Sequence, residues 1–263
     1  MPELPEVESV RRQLAPALRG RRIEAVRAEP QRRFAGLERL AGRTVLEVGR
    51  RGKFLLCPLD SELELVLHLG MTGSLRFDVA DAYARAGLVL DDGRELVFRD
   101  VRRFGRIAVV EAGDYRSIPT LATLGPEPLG DEFEPDRFAA ALAATRAPVK
   151  AALLGQRCVA GVGNIYADEA LWRARIHPGS RRVGRSRAIA LRAAIRAVLT
   201  EALAHEGTTF RDYRMVNGES GRNGGLLRVY GKEGQPCPRC AKPLRKVVVA
   251  QRGTTYCPAC QRA

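Results

Sequence analysis

The sequence predicts a multidomain α+β protein, and three observations carry that reading. Seven short strand-like runs crowd the chain up to Glu111, helical patterns take over beyond a Gly/Pro-rich break at 125–128, and four cysteines gather in the closing segment. The length of 263 residues suits one large domain or two ordinary ones. With 45% hydrophobic and 28% charged residues there is enough apolar surface to bury, which excludes a disordered chain. No apolar run reaches the ~18 residues that span a bilayer. The acidic start MPELPEVESV has no signal-peptide core, so a cytosolic protein is expected.

Taken in order, the elements begin with a helix over 6–18, where Val7, Val10, Leu14 and Leu18 recur at helical spacing behind Pro5 and two early glutamates. Strands are expected at 43–48, 53–58, 62–69, 73–79, 87–90, 95–99 and 106–111, with Asp92-Gly93 as a hairpin turn. Strands in that number, without helices between them, make a sandwich or a barrel. Beyond the linker Gly125-Pro126-Glu127-Pro128, helices are expected at 133–144, 148–154, 163–173 and 186–205, the last opening at a Ser186 cap and stopping before Gly207. Periodicity is lost over 216–225. The expected domains are therefore 1–128, 129–225 and 226–263.

Charge narrows the partner. The chain carries a net charge of +14, and 221–263 holds nine basic side chains against one acidic. A surface of that sign attracts a polyanion, most often nucleic acid. An anionic membrane is the rival, but no basic amphipathic helix stands out.

Cys237-Pro-Arg-Cys240 and Cys257-Pro-Ala-Cys260 form a C-x2-C…C-x2-C pattern with 16 residues between the pairs, the spacing of a zinc ribbon. Four thiolates close a tetrahedral site, so one structural Zn²⁺ is expected, with no coordination position open for catalysis. Two disulfides are the alternative, disfavoured in a reducing compartment. Val247–Val249 suit the hairpin of such a ribbon, and Cys57 and Cys158 read as core thiols. A ribbon alone favours nucleic-acid binding and leaves enzyme status open.

The other chemistry-bearing feature is the start of the chain. Removal of Met1 would leave Pro2 as a secondary amine, and α-amino groups titrate near ~7.7–8.0, so a neutral fraction exists at pH 7. Such an amine can attack a carbonyl-like carbon and form an iminium. Many chains start Met-Pro, so the feature needs company. It has it in MPELPEVE, RRGKFLL (50–56), HLGMTGSL (68–75), DVRRFG (100–105), LGPEPL (124–129), AGVGNIYADEAL (160–171), VYGKEGQPC (229–237) and AQRGTTYC (250–257). These blocks, in this order from first residue to last, resemble the formamidopyrimidine-DNA glycosylases, and resemble the related endonuclease VIII branch less.

The resemblance implies an N-terminal β-sandwich with flanking helices, a helical domain with a helix–two-turns–helix motif, a zinc ribbon, and DNA bound in the cleft between the halves. It implies excision of oxidised purines from double-stranded DNA by a monomer, followed by strand cleavage. Pro2 would be the nucleophile at the sugar C1′ and Glu3 the general acid. Lys53 would act near the phosphate and leaving groups, and Arg252 on the flanking phosphates and the second elimination. Met71, Arg102 and Phe104 would fill the hole left by the extruded base. Asn164, Lys150 and Tyr230 would bind the DNA backbone, Asn164 at a helix N-terminus. Glu6 supports the site or simply caps the helix.

Three departures bear on substrate choice. Val101 stands where the family usually has Pro, the stretch 81–87 lacks a DNA-contacting histidine for which Arg85 is the candidate substitute, and the loop 217–225 has lost Pro and aromatic groups while gaining Gly. That loop caps the extruded base in relatives, so a mobile lid and an altered lesion preference, toward oxidised pyrimidines or abasic sites, are the alternative. A non-catalytic damage-binding protein on the same scaffold is the other.

Overall fold

The computed structural model describes residues 1–79, 81–209 and 214–263. Helix α1 (Leu4–Leu18) starts two residues earlier than the periodicity indicates, because Glu3 and Glu6 form a capping box around the start and Pro5 fits the first turn. Val7, Val10, Leu14 and Leu18 are all buried, as their spacing requires.

Nine strands follow: β1 (Ile23–Ala28), β2 (Phe34–Ala35), β3 (Gly49–Arg51), β4 (Phe54–Pro58), β5 (Leu63–His68), β6 (Gly73–Phe77), β7 (Ala84–Leu90), β8 (Glu95–Asp100) and β9 (Arg106–Glu111). They form a four-stranded sheet, β1-β7-β8-β6, and a five-stranded sheet, β2-β9-β5-β4-β3. Alternate residues feed one core: Leu55 and Cys57, Leu65 and Leu67, Leu96 and Phe98, Ile107 and Val109, joined by the apolar stripe of α1. Cys57 is fully buried and burial pushes its thiol up to about 12, so it is an inert core residue. The expected strand over 43–48 is absent. Thr44 and Val45 make only isolated bridges, to Arg22 and Leu59, and the paired strand starts at Gly49.

The second half contains α2 (Pro119–Ala122), α3 (Pro135–Ala143), α4 (Val149–Leu154), α5 (Asn164–Arg173) and α6 (Arg185–Ala204), then the hairpin β10 (Arg245–Val249)–β11 (Arg252–Tyr256). α6 already includes Ser186 in its first turn, so Ser186 is not its cap. α5 is buried from Ile165 through Trp172, packed by α4, α6 and β11. The hairpin closes through Ala250 and Gln251, both with positive φ (51° and 59°), the tight two-residue turn that Asn-Gly usually makes.

The compact units differ from the expected division at 128 and 225. One is Met1–Ala122 with His205–Gly224; the other is Thr123–Ala204 with Gly225–Ala263. The physical reason is that the 205–224 segment joins the sandwich: Met215 is 1% exposed within the sandwich core, and the Gln13 side-chain amide bonds both Met215 Sδ (3.5 Å) and the Asn217 N–H (3.1 Å). The first residue of this glycine-containing loop, Asn217, is thus tied to α1.

Candidate active site and metal centre

In the first unit, the chain enters α1 with Pro2 and Glu3 buried and Met1 45% exposed. The Glu3 N–H donates to Glu6 Oε2 at 2.7 Å, and Glu6 Oε1 accepts the Thr208 N–H, also at 2.7 Å. Gly207 makes that approach possible: with φ +80°, a Cβ there would lie 2.6 Å from Glu6 Oε1. Glu6 is therefore both helix cap and tertiary anchor, holding the backbone of Glu3 from one side and the returning segment from the other. Lys53, 7% exposed, occupies the turn between β3 and β4. That strand pair is fastened to α1 by the Arg50–Glu8 ion pair at 3.2 Å and by Arg11 Nη1 donating to the Val48 carbonyl at 3.3 Å.

Met71 and the Arg102–Phe104 pair lie in two of the connections that pass from one sheet to the other, β5 to β6 and β8 to β9. The connections touch: a Cβ on Gly70 (φ +63°) would fall 2.5 Å from the Phe104 carbonyl carbon. Asp100, 1% exposed, binds both, accepting from the Thr72 hydroxyl (2.5 Å), the Arg102 N–H (3.2 Å) and the Gly105 N–H (2.6 Å). Phe104 is 40% exposed beneath the Arg102 guanidinium, 4.9 Å from its ring centroid. The neighbouring His68 is held neutral: burial, with the charges of Lys53, Arg106 and Arg33, pushes its imidazolium down to about 4, and its Nδ1 accepts the Gly70 N–H at 3.1 Å. Arg85 does not present itself to a ligand. It is 7% exposed and bonded to the Asp100 carbonyl and to Glu29. Asp100, Thr72 and His68 were overlooked by sequence reasoning, although each falls inside a quoted block.

In the second unit, the cap of α5 is Gly163, so Asn164 is the first helical residue and not the cap. Its Nδ2 reaches the Gly253 carbonyl (3.1 Å) and the Tyr230 hydroxyl (3.4 Å). Asn164, Tyr230 and the start of β11, where Arg252 is exposed, are thereby gathered. Lys150 is a correction to a direct DNA contact. It is fully buried, with Nζ bonded to Asp168 Oδ1 (2.6 Å), Thr254 Oγ1 (2.8 Å) and the Gly253 carbonyl (3.3 Å). A buried ammonium needs such partners, and these fasten β11 to α5. Asp168 Oδ2 also accepts the Thr255 N–H at 2.9 Å, and the next residue, Glu169, accepts three successive N–H groups, from Arg228, Val229 and Tyr230. Sequence reasoning assigned Asp168 and Glu169 nothing. The usable signal was two adjacent acids in a helix otherwise composed for burial.

The four Sγ atoms of Cys237, Cys240, Cys257 and Cys260 lie within 4.8 Å of one another, and none is in a disulfide. Donors surround them: the Trp172 indole N–H points at Cys237 Sγ (3.4 Å) and the Cys260 N–H at Cys257 Sγ (3.4 Å). Burial alone raises a thiol, yet the Trp172 bond and the N–H groups of Arg239 and Cys240 outweigh it and bring Cys237 down to about 6. Four clustered sulfurs with outer donors to hold thiolates fit one structural Zn²⁺.

Three family models match in succession: the formamidopyrimidine-DNA glycosylase N-terminal domain over residues 1–107, the formamidopyrimidine-DNA glycosylase H2TH domain over 124–214, and the zinc finger found in FPG and IleRS over 234–263. Proteins named formamidopyrimidine-DNA glycosylase from Deinococcus radiodurans and Thermus thermophilus are 46% and 49% identical to this chain, covering 99% of it and 97% and 98% of themselves. The crystal structure of the MutM (Fpg) protein from Thermus thermophilus superimposes with a TM-score of 0.95 at 48% identity, covering 99% of this chain and 98% of its own. A wild-type Lactococcus lactis Fpg bound to DNA containing N7-benzyl-Fapy-dG gives 0.91 at 34% identity, with both chains covered completely. A Lactococcus lactis Fpg bound to abasic-site DNA gives 0.90 at 33%, covering 99% of this chain and 100% of its own. On these matches, which run the length of the chain, it belongs to the formamidopyrimidine-DNA glycosylase family.

Proposed function

We propose that this chain is a base-excision-repair DNA glycosylase with abasic-site lyase activity, removing oxidised purines from double-stranded DNA. The observation that carries the reading is the fixed start of α1, where Pro2 and Glu3 are buried side by side and Glu6 locks the backbone between them and Thr208. Until Met1 is removed the Pro2 nitrogen is an amide and cannot attack. Met1 is exposed enough for an aminopeptidase to take. The freed amine attacks C1′ of the extruded nucleotide as the bond from C1′ to the base breaks, while Glu3 delivers a proton to the sugar ring oxygen and the ring opens to an iminium. The iminium draws electrons, so the C2′ proton leaves and the bond from C3′ to the 3′ phosphate breaks. A second elimination breaks the bond to the 5′ phosphate, and hydrolysis returns the amine. Lys53 serves the phosphate and leaving groups in these steps, and Arg252 the second elimination.

Outside the chemistry, Met71, Arg102 and Phe104 fill the vacated stack, and Asn164 and Tyr230 meet backbone phosphates. Lys150 acts through the position of β11. The partner is DNA with a damaged base, and we assign the protein to the bacterial cytoplasm alongside the nucleoid; among the described residues no helix is long and apolar enough to cross a membrane. A second reading shifts preference to oxidised pyrimidines or abasic sites, favoured by the altered composition of 217–225.

Borohydride trapping on duplexes carrying 8-oxoguanine, a formamidopyrimidine, an oxidised pyrimidine or an abasic site tests the proposal. Adducts on the purine lesions, absent when Met1 is retained or the terminus is acetylated, are expected. Adducts on abasic DNA alone would leave the lyase and remove the purine assignment. No adduct with Met1 removed and zinc bound would make this a damage-binding protein.

A further inference from the structure

Arg175, Arg187, Arg239 and Arg262 line a cavity of about 680 Å³ together with Cys260 and Ala263, and no Asp or Glu lines it. The cavity is remote from Asn164 and Arg252 within the same unit. α5 runs ten residues from Asn164, about 15 Å, and Arg175 follows its far end. β11 likewise runs from Arg252 toward Cys257, so the cavity lies at the metal end of the hairpin and not at its tip.

Two of the arginines form fixed walls. Arg239 Nη1 donates to the Trp172 carbonyl at 3.0 Å and its guanidinium stacks 4.3 Å from the Trp172 ring, while Arg187 Nη2 donates to the Arg262 carbonyl at 2.7 Å. None of the four guanidiniums has a carboxylate partner among the described residues. Arg175 is also out of place on backbone grounds. The Arg175 and Ile176 N–H groups bond the Trp172 and Leu171 carbonyls, closing α5 with a turn whose left-handed position is held by Arg175 at φ 59°. Glycine is the favoured residue there.

The anionic groups of the wall are the terminal carboxylate of Ala263 and the Cys260 thiolate shared with the metal; four guanidiniums outnumber them, and a multiply charged anion relieves their mutual repulsion. The guanidinium fork matches phosphate oxygens in pairs, and a space of this volume holds several linked phosphates. We propose that this cavity is an accessory phosphate-binding site for a run of adjacent phosphates, supplied either by a nucleic-acid strand outside the lesion duplex or by a soluble polyphosphate.

The test uses the zinc-loaded full chain, saturated with a short duplex bearing a non-cleavable abasic analogue so that the lesion site is filled. Tripolyphosphate is titrated by calorimetry, and a labelled undamaged duplex by anisotropy, at matched ionic strength and with zinc content checked. Wild type should bind at least one, and R175Q/R262Q should bind it roughly ten-fold more weakly, with excision from a short lesion duplex unchanged. Arg175→Gly should raise the Tm of the unliganded protein while weakening the same binding. Binding of tripolyphosphate alone identifies a soluble source, and binding of duplex alone a strand. Equal binding by wild type and variant, or none by wild type, overturns the proposal, while excision, read separately, reports on the proposed activity.

Discussion

The Thr72 hydroxyl donates to Asp100 Oδ1 at 2.5 Å, and this bond joins two of the chain segments that cross between the sheets of the sandwich. Met71 therefore does not move independently of Arg102 and Phe104. The same carboxylate collects the Arg102 and Gly105 N–H groups, and Gly70 brings the first segment against the backbone of the second.

Asp100→Ala would strand those buried donors and is expected to cost about 2–4 kcal/mol of stability. Excision from an intact duplex, which requires the hole to be filled, should fall more than borohydride trapping on a single-stranded abasic site. Denaturant midpoints and parallel single-turnover assays check both. Equal losses on the two substrates would show that the carboxylate serves only the fold.

His68 predicts a pH dependence. Its folded-state value, about 4, lies below the ordinary 6.5, so the unfolded chain binds the extra proton between those values. Stability then rises with pH across that window and is lost as pH falls through it. Protonation at Nδ1 would also cancel the bond from Gly70. Asp168, pushed up to about 6 by burial, contributes the opposite slope, so the His68 part is read as the difference between wild type and His68→Gln in urea melts from pH 7 to 4.

The Lys150–Asp168 pair should behave as a buried pair does. Removing either partner alone leaves an uncompensated charge and should cost about 3–5 kcal/mol, while K150M/D168L should cost less than the sum of the singles. Because Nζ also holds the Gly253 carbonyl, beside Arg252, the single variants should change the ratio of first to second elimination products on gel analysis.

Zinc removal has a built-in reporter. Trp172 is the single tryptophan of the sequence, and its indole N–H meets Cys237 Sγ at 3.4 Å. A strong chelator should shift its emission in step with metal release and loss of cleavage. An unchanged spectrum after complete metal release would show that the hairpin holds its shape without zinc.

What could be read in advance was whatever repeats or recurs in order. The α1 stripe, the short apolar runs of β4, β5, β8 and β9, and the cysteine spacing are all local patterns, and the quoted blocks carry the catalytic candidates. β1 and β2 escaped because a mostly exposed or very short strand shows no clean apolar pattern: only Ile23 is fully buried in β1, and β2 is two residues long. Lys150 was misjudged because the resemblance supplied its role, and its partner Asp168 is 18 residues away on another helix. Met215 gave no warning either, since one apolar residue before an irregular loop does not announce which core it enters.

The return of His205–Gly224 to the sandwich decides how the molecule can be divided by gene truncation. A fragment ending at Ala122 contains every strand of both sheets, yet it lacks the side chain that fills the space beside Gln13 and the N–H that occupies Glu6. An autonomous N-terminal fragment has to be written as a fusion, with 205–224 spliced behind 122 by a short linker. Protease nicks near 123 or 204 should accordingly release no soluble sandwich until the chain is also cut beyond 224.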